Sequence, residues 1–291
     1  MTDEGTLDPY VAEWLDANPM IKNPIEDFPP ELRELARGDF GAPPTRAIAS
    51  VEDSDVDGIP IRIYRGEEPP AGTVVYFHGG GHVIGSIGLM DNVARELAHA
   101  TGAIVVSVGY RLAPEDPYPA GFDDCVAVTR WAERFDLPIV VCGESAGGNL
   151  AAAVALKLRD ALAGQVLIYP ATAGGREQPS WREFDGIVLS LKSRDFYWTS
   201  YCGGQHLDDD PFAAPLSATD LRGLPPALVI LGGSDMLRDE GRAYATRMRD
   251  EGGVDVEEIC YPGQPHGFVN FGLPAAELAF TRIGEWVRAR L

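Results

Sequence analysis

A mostly parallel α/β sheet flanked by helices is the fold class predicted by this sequence, and three observations predict it. Short apolar, β-branched runs recur along the chain, among them Thr73-Val74-Val75-Tyr76-Phe77, Val140-Val141-Cys142 and Val166-Leu167-Ile168-Tyr169. Segments with apolar residues at helical spacing lie between them, and strands that alternate with helices imply parallel neighbours joined by right-handed crossovers. Glycine-rich turns follow three of the runs, at Gly79-Gly80-Gly81, Gly143 to Gly147 and Gly232-Gly233. Ligands in such sheets sit at the carboxyl ends of the strands, and all three turns fall there.

In chain order, the stretch from Asp8 to about Phe40 reads as two short helices broken by prolines. Val11, Trp14 and Leu15 share one face of the first, and Leu32 and Leu35 one face of the second. Pro29-Pro30 marks a helix start and Gly38 a stop. This arm either packs on the domain or forms part of a lid, and both readings stay open. Ile59 to Tyr64 alternates apolar and polar after the Asp57-Gly58 turn, as a half-exposed strand does. Thr73 to Phe77 is continuously apolar, a strand buried on both faces. A helix over 91–99, a strand over 103–108, a helix over 122–135 and a strand over 138–142 follow.

Gly143-Glu144-Ser145-Ala146-Gly147 then joins that strand to an alanine-rich helix. A strand that becomes a helix within this spacing bends sharply at the serine, and Gly143 and Gly147 keep neighbouring chain clear of the bend. After the strand ending at Tyr169, alternation breaks from about Ala171 to Ala218. That segment carries Phe196, Tyr197, Trp198 and Tyr201, which either fill core or cover an apolar pocket. Alternation resumes with a strand over 227–231, a helix over 239–250, a strand over 256–261 and a terminal helix from about Ala275. No internal repeat interrupts the order.

Bulk properties exclude several classes of function. The formal net charge of −20 repels nucleic acid and anionic membrane surfaces. No window approaches the roughly 18 apolar residues that a bilayer span needs, and the first residues lack the basic and apolar regions of a secretory leader. Cys125, Cys142, Cys202 and Cys260 are scattered without a CxxC pair. A cytoplasmic, reduced protein is the expectation, with no stable membrane insertion and no nucleic-acid partner.

Ser145 is the candidate nucleophile, because this turn exposes its hydroxyl at a helix N-terminus above the sheet edge. A serine hydroxyl needs a base to take its proton, and the base needs an acid to orient it. Of the five histidines, His266 follows the last predicted strand on a glycine-flanked loop. Asp235 follows the strand over 227–231, whereas Asp239 and Glu240 fall in the next helix and should point away. The order Ser145, Asp235, His266 is that of α/β-hydrolases. Acyl transfer also needs fixed N–H donors for the oxyanion, and Gly80, Gly81 and Ala146 can supply them. A phosphate reading of the glycines fails for want of Gly-x-x-x-x-Gly-Lys or Gly-x-Gly-x-x-Gly. Zinc between His78 and His82 fails because three glycines cannot hold the required helix.

These motifs resemble the hormone-sensitive-lipase family of α/β-hydrolase carboxylesterases. The resemblance runs through His78-Gly79-Gly80-Gly81, Tyr110-Arg111-Leu112-Ala113-Pro114-Glu115, Gly143 to Asn149, the Asp235 region and His266-Gly267-Phe268. It implies an α/β-hydrolase catalytic domain over 48–291 and a helical cap built from residues 1–47 and an insertion at 171–218. It implies hydrolysis of a small-molecule carboxylic ester with a short-to-medium acyl group, through an acyl-enzyme and without a cofactor or metal. Lactone or amide hydrolysis would use the same residues, and a non-catalytic small-molecule-binding relative would be expected to lose one of them. Family members are often dimers, so a homodimer is compatible. Four residues depart from the commonest family pattern. Glu144 replaces an aspartate, Met236 a proline, His82 a large aromatic and Asp116 a histidine. His82 should make the pocket mouth more polar.

Overall fold

A computed structural model describes residues 4–26, 28–38 and 43–291. The expectations for Met1 to Asp3 and for the end of the arm at Phe40 fall outside these residues. The arm forms α1 (Pro9–Ala17), a single turn α2 (Pro19–Lys22) and α3 (Pro30–Arg37). The Asp8 carboxylate caps α1 by accepting the amides of Tyr10 at 2.8 Å and Val11 at 3.3 Å, and Pro9 opens it with a φ already suited to helix. Val11 and Leu15 are buried, as their spacing predicts. Leu32 and Leu35 are not: they are 40% and 58% exposed, so the apolar face of α3 meets solvent.

β1 (Ser50–Val56) and β2 (Ile59–Arg65) form a hairpin around Asp57-Gly58, both residues with positive φ. β1 has no apolar alternation and is exposed except at Val56, which is why its sequence gives no strand signal. β3 (Thr73–Phe77), α4 (Asp91–Thr101), β4 (Ile104–Val108), α5 (Ala120–Ala132), β5 (Ile139–Glu144), α6 (Ala146–Leu158) and β6 (Gly164–Ile168) follow. α7 (Pro179–Glu183) and α8 (Leu191–Cys202) occupy the insertion, before β7 (Ala227–Ser234), α9 (Arg238–Asp250), β8 (Val256–Pro265) and α10 (Pro274–Arg288).

The eight strands form one sheet in the order β1-β2-β4-β3-β5-β6-β7-β8. β1 and β2 are antiparallel to each other, β2 is antiparallel to β4, and all remaining pairs are parallel. Side chains alternate between faces along a strand. Val75 and Phe77 of β3 therefore join a core with Phe122, Val128, Leu150 and Tyr244 of α5, α6 and α9. Val74 and Tyr76 join the opposite core with Leu97, Ile283 and Trp286 of α4 and α10. That two-sided burial explains why the central strands read as unbroken apolar runs.

β7 and β8 run beyond their apolar runs, to Ser234 and Pro265. Their extra residues continue the pairing through an irregularity between Gly232 and Ser234. The extension carries Asp235 and His266 to adjacent positions one residue past their strands. Among the described residues no helix is long and apolar enough to cross a membrane.

Candidate active site

Ser145 occupies the bend between β5 and α6 with φ 58° and ψ −118°, a conformation that non-glycine residues rarely adopt and that persists only where surrounding structure dictates it. The surroundings leave no alternative. A Cβ on Gly143 would lie 2.0 Å from the Gly147 carbonyl oxygen, and one on Gly147 would lie 2.0 Å from that of Phe77. The Ser145 amide donates to the Ile168 carbonyl at 2.9 Å. Asn149, one turn into α6, donates through Nδ2 to the carbonyls of Ala171 at 2.7 Å and Ala213 at 2.8 Å. Its amide therefore ties the insertion to the helix that begins at the serine.

The three residues singled out for nucleophilic chemistry come together. Ser145 Oγ lies 2.9 Å from His266 Nε2, and His266 Nδ1 lies 3.1 and 3.0 Å from the two Asp235 oxygens. Asp235 is fully buried, and its Oδ1 also accepts the Leu237 amide at 2.8 Å. Tyr169 meets the imidazole edge-on at 4.9 Å. Burial of His266 opposes its charge, but the Asp235 carboxylate outweighs that effect and holds its pKa above the ordinary histidine value. The ring is thus a stronger base than a free imidazole, and its proton on Nδ1 faces an acceptor.

Gly80 and Gly81 lie across from the serine and line the same cavity. Their φ values are 113° and 61°; a Cβ would meet the Ile84 carbonyl oxygen at 2.2 Å at Gly80 and the Tyr197 ring at 2.3 Å at Gly81. Among the described residues, none of the Gly80, Gly81 and Ala146 amides is spent on a backbone hydrogen bond. His78 anchors the loop. Its ring stacks on Tyr110 at 4.4 Å, and its Nδ1 lies 2.7 Å from the Gly79 carbonyl. Burial lowers its pKa to about 4, so the ring is neutral and structural.

The cavity, of about 260 Å³, is lined by Ser145, His266 and the glycines on one side and by Val188, Leu189, Arg194, Tyr197 and Trp198 of the insertion on the other. Tyr197 stacks on Phe28 of the arm at 5.8 Å. The arm, the insertion and the Gly81 backbone thus form a continuous chain of contacts. Among the described residues, no group of three His, Cys, Asp or Glu side chains is arranged to hold a metal ion.

Two sequence expectations change. Glu240 should point away with the rest of α9, yet it is buried and lines the cavity. It accepts the amides of Thr172 at 2.6 Å and Ala173 at 3.2 Å, and the Trp181 indole at 2.6 Å. The physical reason is its place in the first turn of α9, where the side chain still reaches the chain leaving β6 and meets donors that lack other acceptors. Asp239 does turn outward, accepting the Ser180 amide at 3.0 Å. His82 should make the pocket mouth polar, but its ring is buried and lies flat on Tyr201 at 3.8 Å. Burial lowers its pKa to about 3. It packs as an uncharged aromatic, in keeping with the large aromatic common at that position.

Comparison with known proteins agrees with this geometry. A family profile described as the α/β hydrolase fold matches residues 74–270. The chain is 37% identical to the esterase LipI of Mycobacterium tuberculosis, over 96% of this chain and 94% of that protein. It is 39% identical to the carboxylesterase NlhH of the same organism, over 95% and 93%. The chain belongs to the hormone-sensitive-lipase-like family of α/β-hydrolases. Among solved structures, an esterase of Pyrobaculum calidifontis superposes on this family member with a TM-score of 0.87 at 33% identity, covering 97% of this chain and 98% of that one. From sequence, the roles of Glu240 and Asn149 in tying the insertion to the site were missed. Asn149 lies within the Gly143 to Asn149 motif, whereas nothing local marks Glu240.

Proposed function

We propose that this hydrolase cleaves small carboxylic esters with short-to-medium acyl groups through an acyl-enzyme on Ser145. The observation that carries the reading is the hydrogen-bonded line from Ser145 Oγ through His266 to Asp235, at 2.9 Å and 3.0 Å. His266 Nε2 takes the hydroxyl proton as Ser145 Oγ bonds to the ester carbonyl carbon. Charge develops on the carbonyl oxygen, where the amides of Gly80, Gly81 and Ala146 receive it. Preorganised donors of this kind are typically worth about 10²–10³ in turnover each. The bond to the leaving oxygen then breaks, and His266 returns the proton to the departing alcohol. Water attacks the acyl-enzyme by the same route, His266 taking its proton and returning one to Ser145. Asp235 holds the imidazole with its proton on Nδ1 and stabilises the cation that forms.

We assign residues 1–47 and the insertion at 171–218 to a cap that closes over the acyl group. The Tyr197 contacts with both Phe28 and Gly81 support that assignment. Hydrolysis of p-nitrophenyl acetate should fall by about 10⁶ in Ser145→Ala, and a fluorophosphonate should label the wild type but not the variant. Retention of ester hydrolysis by Ser145→Ala would overturn the proposal. A panel of esters of rising acyl length, with lactones and aryl amides alongside, then sets the substrate class.

A further inference from the structure

Glu144 has a role that the triad and the glycine loop leave unassigned. It is the last residue of β5 and directly precedes the nucleophile. Its side chain is buried beside the cavity. One carboxylate oxygen accepts the Gly79 amide at 2.5 Å and the Tyr76 hydroxyl at 3.3 Å. The loop is packed hard against it: a Cβ on Gly79 would fall 2.2 Å from the carboxylate. Asn270, in the segment that follows His266, lines the same cavity as Glu144.

We propose that Glu144 is a positioning residue that clamps the Gly79-Gly80-Gly81 loop and the Ser145 bend into one register. This rests on the assignment of Ser145, Gly80 and Gly81 above. A charged acceptor makes a hydrogen bond roughly twice as strong as a neutral one, so the clamp is strongest when Glu144 is ionised. Burial raises its pKa to about 7, against the pull of the Gly79 amide and of His266. The other ionisable groups round it are Tyr76, Tyr110, Cys142 and Tyr169, all held neutral by burial, and the His266 imidazole. As pH falls through about 7, Glu144 therefore loses its charge, and His266, whose pKa lies above the ordinary histidine value, gains one. Ionised Glu144 also helps to raise the pKa of His266.

Two measurements test the clamp. In the first, kcat and KM for p-nitrophenyl acetate are followed from about pH 5 to about pH 9. Glu144→Ala should lower kcat by about 10²-fold with KM within about threefold, the pattern of a transition-state interaction. Glu144→Gln, which keeps the shape and an acceptor oxygen, should lose only about tenfold. Its acid limb should shift to lower pH and flatten from two ionisations to one. A residue that merely fills space would lower kcat without moving that limb. The second measurement needs no activity: the Gly79 amide proton, read by NMR, should titrate with Glu144 in the wild type and lose that titration in Glu144→Gln. An unmoved acid limb in Glu144→Gln, or a Gly79 amide indifferent to the substitution, overturns the inference while leaving the Ser145 reading intact. If the wild type cleaves no ester, the functional reading fails and the amide measurement alone decides the clamp.

Discussion

The two sides of the cavity are held together by different physics. On the sheet side, Asp235 and Ser145 sit one residue past the ends of β7 and β5, and His266 one past β8. They are fixed by strand pairing and by bends that admit no Cβ. On the covering side, α3 has no buried residue; one backbone bond, from the Gly85 amide to the Ala36 carbonyl at 2.9 Å, and several charged side chains hold it in place. Arg33 and Arg37 both reach Glu115, at 2.9 and 2.8 Å. Arg37 also donates to the carbonyls of Val83 at 2.7 Å and Ala113 at 2.6 Å. Lys192 of the insertion pairs with Glu26 of the arm at 2.6 Å. Backbone-held geometry resists pH and salt, whereas exposed ion pairs are weak and screened. The side that carries Ser145, Asp235 and His266 is the stiff one, and the side that covers the cavity is free to yield.

The sharpest way to break this contrast is at Asp235. Asp235→Asn should leave the fold intact and lower kcat by about 10⁴, because the imidazole would present the wrong tautomer; steady-state kinetics beside an unchanged urea unfolding curve checks it. Gly147→Ala should act on the fold instead. Its methyl would collide with the Phe77 carbonyl, and a loss of about 3 kcal/mol or more in urea denaturation is expected, at or beyond the usual range for overpacking. Arg37→Ala leaves the Val83 and Ala113 carbonyls without this donor and should cost about 1–3 kcal/mol, with faster proteolysis of the arm as the second sign.

Titration separates the two sides without mutation. Ester hydrolysis should fall by at least about tenfold per pH unit as His266 and Glu144 take up protons, with the His266 midpoint above the ordinary histidine value because Asp235 outweighs burial and raises its pKa. The arm should respond later. Although burial works to raise the Glu115 pKa, Arg37 and Arg33 bring it down to about 2. A depressed carboxylate pKa adds stability that is present above the unfolded value and lost as pH falls through the folded one. The arm should therefore stay docked between about pH 7 and pH 4.5 and loosen as pH falls toward about 2, which proteolysis at each pH would follow. Leu35→Ser, on the exposed face of α3, should shift stability by less than about 0.5 kcal/mol.

How much could be read in advance follows the same division. The central strands announced themselves because burial on both faces leaves only apolar residues, and β3 runs over the residues its apolar run marks. That Ser145, Asp235 and His266 would come together was legible because strand ends and glycines confine where such groups can meet. β1 was silent because an exposed edge strand needs no apolar face. Glu240 and His82 were misread since their surroundings, Thr172 with Trp181 and Tyr201, come from the insertion, far along the chain. The Glu144 contact with Gly79 spans two strands and leaves no periodic mark.

The glycines of the bend give the molecule an uneven capacity for change. At Gly143 and Gly147 every possible side chain strikes backbone within 2.0 Å, so no single substitution leads anywhere but to loss. Val188, Leu189, Tyr197 and Trp198 line the cavity from the insertion, outside the sheet, and replacements there alter what fits without disturbing the sheet. Descent with variation in such a protein would reshape the cavity readily and the bend at Ser145 hardly at all.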